Sequence, residues 1–270
     1  AGQRRCLQEM MVKIRKDSRQ AQILAALEDD PALRVNQLAQ KFGVTTETIR
    51  RDLAELAQAG RINRTYGGAV RLSNRFEPVL ADRLKLMVPE RSKIARHAVD
   101  LYAHGDALML GGGATMLHFA RALCKVQHRM IVITPSLLVA QELASNPQIE
   151  VMLLPGVLDP HEHVVNGSET LRAVEKFRAP VALIGASGVN TEGISEAMPS
   201  MGEVYMAMLA NADHGIILAD HSKFDKRALI LMSGWNPRLS LITDRNPAPD
   251  LSTAIRNAGA NIALAPSGGE

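Results

Sequence analysis

Cysteine is almost missing from this sequence: Cys6 and Cys124 are the two among 270 residues. Two unpaired thiols exclude the disulfide-dense secreted scaffolds and point to a reducing compartment. No run of 18 apolar residues occurs, which excludes a helical membrane span, and no signal-peptide pattern opens the chain. Internal repeats and low-complexity tracts are absent as well. From these absences we expect a cytoplasmic protein with no membrane partner. A strong overall charge is also lacking, at +3. The balance is uneven, however. Residues 1–75 hold 14 Lys+Arg against 8 Asp+Glu, leaving 17 against 20 for the rest. A basic small front end attracts a phosphate backbone, whereas a mildly acidic remainder does not.

The basic part has a readable periodicity. Ile49, Leu53 and Leu56 recur at helical spacing and pack inward, which leaves Thr46, Arg50 and Arg51 outward. Thr45 can cap this helix, Glu47 suits its positive first turn, and Gly60 suits its end. Upstream, Ile23, Leu24 and Leu27 predict one helix; Leu38, Ala39 and Phe42 predict a second, with Gly43-Val44 as the tight turn before the third. This is helix-turn-helix spacing. Arginine forks hold phosphates or guanine edges, and threonine bonds phosphate or touches a thymine methyl. The candidate DNA contacts are therefore Thr45, Thr46, Thr48, Arg50 and Arg51. Arg64 and Tyr66 join them on a basic hairpin that follows through Arg61 to Gly68. An ordinary three-helix unit with a solvated basic face is the bland alternative.

The segment Leu72-Ser73-Asn74-Arg75-Phe76-Glu77-Pro78 reads as a linker, because proline disfavours helix before it. The expected organisation is an N-terminal extension over 1–16, a DNA-binding domain over 17–72, a linker over 73–88, and an effector-binding and oligomerisation domain over 89–270. In the last of these, apolar strand candidates alternate with helix-length stretches. They are Ala107 to Leu110, Ile131 to Thr134, Val151 to Leu154, Val181 to Ile184, Gly215 to Ala219, Ser240 to Thr243 and Ile262 to Leu264. Such alternation predicts an α/β fold with a parallel sheet covered on both faces.

Ligands of such sheets bind beyond the carboxyl ends of strands. There stand Gly111-Gly112-Gly113-Ala114-Thr115, a glycine loop opening a helix that suits a phosphate, though glycines also serve simple tight turning. After later strands come Thr134-Pro135-Ser136, Gly185-Ala186-Ser187-Gly188 and Asp220-His221-Ser222-Lys223. Hydroxyls, a carboxylate and an ammonium together suit a phosphorylated polyol. The candidate effector contacts are Gly111, Gly112, Gly113, Ala114 and Thr115, with Asp106, Ser136, Ser187, Glu203, Asp220 and Lys223. Asp106 and Asp220 equally suit turns or caps. His161-Glu162-His163 lacks metalloenzyme spacing and reads as a solvated loop, so no metal and no cofactor is expected. Met198, Met201, Met206 and Met208 read as helix core or oligomer surface.

Over roughly Ser18 to Leu264 the chain resembles the DeoR family of bacterial transcriptional regulators. The resemblance rests on Val44 with Thr48-Ile49-Arg50-Arg51-Asp52-Leu53, Gly60 and Gly67-Gly68-Ala69. In the larger part it rests on Glu90 with Lys93-Ile94-Ala95, Gly105-Asp106, Leu154-Pro155-Gly156, Gly185 to Gly188, Glu203 and Asp220 to Phe224. It implies a winged helix-turn-helix domain and a Rossmann-like effector domain similar to ribose-5-phosphate isomerase. It further implies repression of sugar-catabolic genes relieved by a phosphorylated sugar, with operator DNA as partner and a homodimer or homotetramer as the assembly. The chain departs from the family pattern at Gly111 to Met116, where Gly-Thr-Thr is usual, at Thr134-Pro135, where Thr-Asn is common, and at Tyr66, where histidine is common. The alternative is a sugar-phosphate isomerase fused to a DNA-binding domain, using Asp106, Glu203 or Asp220 as base beside Lys223. The resembling isomerases carry an acidic run where this chain has Gly185-Ala186-Ser187-Gly188, and its loss removes the expected base.

Overall fold

The computed structural model describes residues 16, 18–24, 26, 35–58, 62–65, 68–71 and 78–266, with backbone only at 57–58, 62–65 and 68–71. Two compact units form, Ala1–Pro78 and Val79–Glu270. The N-terminal extension apart from Lys16, together with Gly60, Tyr66 and residues 73–77 of the linker, lies outside the described residues.

In the first unit, helix α1 (residues 18–24) precedes α2 (Val35–Phe42) and α3 (Thr46–Gln58). Gly43 makes the turn at φ 61°, and the Val44 N–H closes it on the Ala39 carbonyl at 3.1 Å. Thr45 caps α3, its Oγ1 accepting from the Thr48 N–H at 3.2 Å. Ile23, Leu24, Leu38, Ala39, Ile49, Leu53 and Leu56 share one core. Strands β1 (Ile62–Thr65) and β2 (Gly68–Arg71) pair antiparallel, Thr65 opposite Gly68.

The second unit opens with a one-turn helix, α4 (Leu80–Arg83), then α5 (Val88–Tyr102). The sheet strands and their crossovers follow: β3 (Ala107–Leu110), α6 (Ala114–Leu123), β4 (Met130–Thr134), α7 (Leu137–Leu143) and β5 (Ile149–Leu153). A hairpin of β6 (Val157–Asp159) and β7 (Val164–Asn166) leads through α8 (Ser168–Val174) to β8 (Ala179–Ile184). Next come β9 (Gly188–Asn190), β10 (Gly193–Glu196), α9 (Pro199–Ala210), β11 (Ala212–Leu218), β12 (Ile230–Ser233), β13 (Leu239–Thr243), α10 (Pro249–Asn257) and β14 (Asn261–Leu264).

All seven expected strands join one parallel sheet, in the order β14-β13-β11-β8-β3-β4-β5. The short strands β6, β7, β9, β10 and β12 were not expected. They pair only in a hairpin and a three-stranded sheet, and three or four residues give too little alternation to read. Period-two alternation explains why both sheet faces are apolar. Leu108, Leu110, Val132, Leu183, Ile216, Leu218 and Ile242 enter a core with α5, α6 and α7. Their neighbours Met109, Ile133, Ala182, Ile184, Ile217 and Leu241 enter another with α8, α9 and α10. Among the described residues no helix is long and apolar enough to cross a membrane.

Between α5 and α6, His118 is buried with its Nδ1 on Ser92 Oγ at 3.1 Å and its Nε2 without a partner. Burial pushes its pKa below 6.5, and the charges of Arg121 and Arg91 push it further. The folded imidazole stays neutral while the unfolded one takes a proton below about pH 6.5, so its contribution is present above that pH and lost as pH falls below it. Urea unfolding between pH 7.5 and 5.5 is expected to show that loss, and His118→Gln to flatten it; an unchanged slope in the variant refutes the assignment.

Candidate functional site

The exposed side of the first unit is built on α3. Thr46, Arg50 and Arg51 are exposed and Thr48 is half-buried, its Oγ1 2.9 Å from Thr45 Oγ1. Arg50 reaches Glu47 only at 3.8 Å with both side chains largely in water, so its guanidinium is available to a phosphate. The side chain of Arg64, on β1, and all of Tyr66 lie outside the described residues. The opposite side of α3 holds a contact that periodicity did not point to. Asp52 is 1% exposed and accepts from Arg19 Nε at 2.6 Å and Nη2 at 3.2 Å. Glu55 alongside it accepts from Lys16 at 2.7 Å and Gln20 at 2.8 Å. These charges tie α3 to α1, which fixes the direction in which Arg50 and Arg51 project.

In the second unit, the strand order reverses between β3 and β8, which are neighbours although two other sheet strands, β4 and β5, lie between them in the chain's sequence. A crevice therefore opens at their carboxyl ends. The glycine loop sits there. The Gly111 N–H donates to Leu183 O on β8 at 2.8 Å. A Cβ on Gly112 would lie 2.5 Å from Val164 Cγ1, so glycine permits β7 to close over the loop. Gly112 also exchanges two bonds with the buried Tyr205 hydroxyl, which accepts from its N–H at 3.1 Å and donates to its carbonyl at 3.2 Å. Gly113 precedes the first turn of α6, whose second residue, Thr115, is buried, as is Ala114. The N–H groups of that turn have no intrahelical partner, which favours an anion.

The loops after the other strands follow carboxyl ends at the same edge of the sheet. Ser187 Oγ donates to Glu196 at 2.9 Å, and Glu196 further accepts from the Ala197 and Met198 N–H groups at 2.8 and 3.2 Å. Burial holds the Glu196 carboxyl above the usual range. Gly188 lets the Lys226 backbone approach, since a Cβ there would be 2.5 Å from Lys226 O. This draws the Asp220–Lys223 turn toward the Ser187 loop. Lys223 is half-buried, and burial followed by the charge of Lys226 lowers its pKa to about 8. Asp220, fully buried, accepts from Arg91 Nε at 3.1 Å and from the Ser222 N–H at 3.0 Å. Ser136 is buried and caps α7, accepting from the Val139 N–H at 3.4 Å.

Two expected contacts stand apart. Asp106 is exposed and precedes β3 at its amino end; four residues at about 3.3 Å each separate it from the glycine loop. Glu203 is exposed on α9 two residues before Tyr205, so it projects from nearly the opposite side of the helix. The expected His161-Glu162-His163 loop is the turn of the β6–β7 hairpin, and Glu162 pairs with Arg83. Met201 and Met208 are core, whereas Met206 is 40% exposed. Tyr205, Glu196, Arg91 and Arg83 were not expected at the crevice. Tyr205 and Arg91 find their partners 93 and 129 residues away, beyond any local pattern.

The description "DeoR C terminal sensor domain" matches residues 87–245, and "DeoR-like helix-turn-helix domain" matches 19–75. The chain belongs to the DeoR family. Within it, the chain is similar to the HTH-type transcriptional repressor GlcR of Bacillus subtilis (strain 168), at 32% identity over 86% of this chain and 90% of that one. It is also similar to the glycerol-3-phosphate regulon repressor of Escherichia coli (strain K12), at 30% identity over 78% and 84%. Among solved structures, ribose 5 phosphate isomerase A from Neisseria gonorrhoeae aligns at TM-score 0.36 and 19% identity, over 51% of this chain and 53% of that one. As a DeoR-family member, the protein is a helix-turn-helix transcriptional regulator.

Replacing Asp52 by Asn removes the charged partner of Arg19. Because Arg19 keeps some water contact, the expected loss is about 2 kcal/mol of first-unit stability. Hydrogen exchange at α3 amides measures it, and protection equal to the unmodified protein's would show the pair to be dispensable.

Proposed function

We propose that this regulator represses a carbohydrate-catabolic operon and leaves its operator when a phosphorylated sugar occupies the crevice. The observation that supports this most is that an uncapped helix start, a hydroxyl-bearing loop and Lys223 follow the carboxyl ends of the adjacent strands β3, β8 and β11 at a sheet switch point. An anion is favoured by the helix start and the ammonium, and sugar hydroxyls suit the remaining polar groups. The name of the Escherichia coli relative joins repression to a phosphorylated polyol. Thr45, Thr46, Thr48, Arg50 and Arg51, with Arg64 and Tyr66 of the wing, are the proposed DNA contacts. Gly111, Gly113, Ala114, Thr115, Ser187 and Lys223 are the proposed effector contacts, with Gly112, Ser136 and Asp220 shaping the loops. The assembly is a homodimer or homotetramer that places two readers on repeated half-sites.

Binding rather than catalysis is the reading the carboxylates favour. Proton abstraction needs a base within hydrogen-bond reach of substrate. Asp106 lies at the other sheet edge, Glu203 faces water, and Asp220 is held by Arg91 and Ser222. Incubation with ribose 5-phosphate is expected to yield no ribulose 5-phosphate; turnover abolished by Asp220→Asn would establish an isomerase instead.

DNA binding to the chain's own upstream region, titrated with sugar phosphates and their unphosphorylated sugars at fixed salt, tests the sensor. Release by a phosphorylated compound and not by its parent sugar is expected. Indifference to the whole panel would remove the crevice from the mechanism. Arg50→Ala and Arg51→Ala separate backbone from base contacts. A lost phosphate contact lowers the slope of log K against log salt by about 0.9, whereas a lost base contact costs about 1–3 kcal/mol on the operator alone. Effector potency is expected to fall as pH rises through about 8, where Lys223 loses its charge. Lys223→Met should remove that dependence, and a variant that retains it would exclude Lys223 from the site.

A further inference from the structure

Arg83 and Glu162 lie 79 residues apart and form an ion pair whose side chains are 11% and 15% exposed. Glu162 also accepts a hydrogen bond from the Leu80 N–H. One carboxylate therefore holds both ends of α4, the single turn that begins two residues after Pro78, where the first unit ends. The Arg83 carbonyl accepts from Arg91 Nη1, and Arg91 reaches Asp220 through its Nε. On the other side, Glu162 belongs to the hairpin that closes over the glycine loop. His163 O accepts from the Leu137 N–H at 2.9 Å, the Val165 N–H donates to Pro135 O at 2.8 Å, and Val164 lies on Gly112. The Tyr205 hydroxyl bonded to Gly112 feels the charges of both Glu162 and Arg83.

We propose that Glu162 is an internal stand-in for the effector's phosphate: it clasps Arg83 and α4 while the crevice is empty of effector, and an arriving phosphate takes the guanidinium from it, freeing α4 and the chain leading back to the reader. This rests on the sensor reading above and names its transmission step. The physical reason is charge compensation. Losing a charged partner is costly for a guanidinium this buried, so entry of another anion favours opening of the clasp. The planar fork accepts phosphate oxygens pairwise, and a neutral sugar offers it no charge. Burial holds the Glu162 carboxyl above its usual range, which weakens the competitor. An equilibrium between two discrete arrangements, biased by a ligand that binds only one, is what coupling between sites requires.

Titration calorimetry of the full chain with inorganic phosphate at constant ionic strength tests the exchange, together with ligand-free binding to the upstream DNA. Glu162→Gln removes the Glu162 charge from Arg83, so phosphate should bind about tenfold tighter and DNA about tenfold more weakly than in the unmodified protein. Arg83→Gln should weaken DNA binding similarly and abolish phosphate binding. Phosphate that binds Glu162→Gln no more tightly, or binds Arg83→Gln as it binds the unmodified protein, overturns the proposal. So does unaltered DNA affinity in Glu162→Gln. Hydrogen exchange in the unmodified protein is independent of either variant's folding: amides of residues 80–86 should exchange faster with phosphate, and unchanged or slower exchange overturns the clasp. If a sugar phosphate releases the unmodified protein while Glu162→Gln behaves identically, the clasp alone fails. If Glu162→Gln behaves as expected while no compound of the panel releases the unmodified protein, the sensor reading alone fails.

Discussion

A parallel sheet whose strand order reverses cannot cover all of its own carboxyl edge. Each crossover helix must return the chain to the amino end of the next strand, and right-handed crossovers to either side of β3 and β8 place α6 and α7 on one face and α9 and α10 on the other. Between the two departures a gap is left. The Gly111 N–H bonded to Leu183 O spans the gap at backbone level. The glycine loop, the Ser187 loop and the Asp220 turn are therefore the rim of one opening, whatever their separation in the chain.

That opening is lined by polar groups to an extent that stability alone does not explain. Asp220 and Arg91, Glu162 and Arg83, and Glu196 with Ser187 are buried and paired. Buried ion pairs are commonly no more stable than well-packed apolar replacements, because desolvation offsets the attraction. Their value lies in direction. Each removes the freedom of a loop at the crevice, as Tyr205 does by bonding Gly112 from α9. Under the proposed function, preorganisation of this kind would lower the cost of ordering the site around a small anion.

The first unit faces a different constraint, because a domain of this size buries little apolar area. Its core is a short set of aliphatic side chains, and the Arg19–Asp52 pair adds a second tie between α1 and α3. The same helix has to be fixed on one side and free on the other. Asp52 is buried while its neighbours Arg50 and Arg51 are exposed, so a single turn of α3 supplies both the anchor and the proposed contacts for DNA.

Much of this was legible in residue order. The tight turn at Gly43, the Thr45 cap and the apolar face of α3 are local, since each depends on residues within a turn or two. The seven sheet strands were legible because a strand buried on both faces is a continuous apolar run, and the loops after Leu110 and Ile184 followed from them. Asp106 misled because its neighbour Gly105 and the following strand look alike from either end, and only the direction of β3 puts it at the far edge. By itself the sequence determined two domains, a helix-turn-helix and a doubly wound sheet, because caps, turns and hydrophobic periods are short-range physics. Tertiary structure decided which charges meet. The partners of Arg83, Arg91 and Tyr205 lie 79, 129 and 93 residues away, and only the closing of the sheet brings them within hydrogen-bond distance.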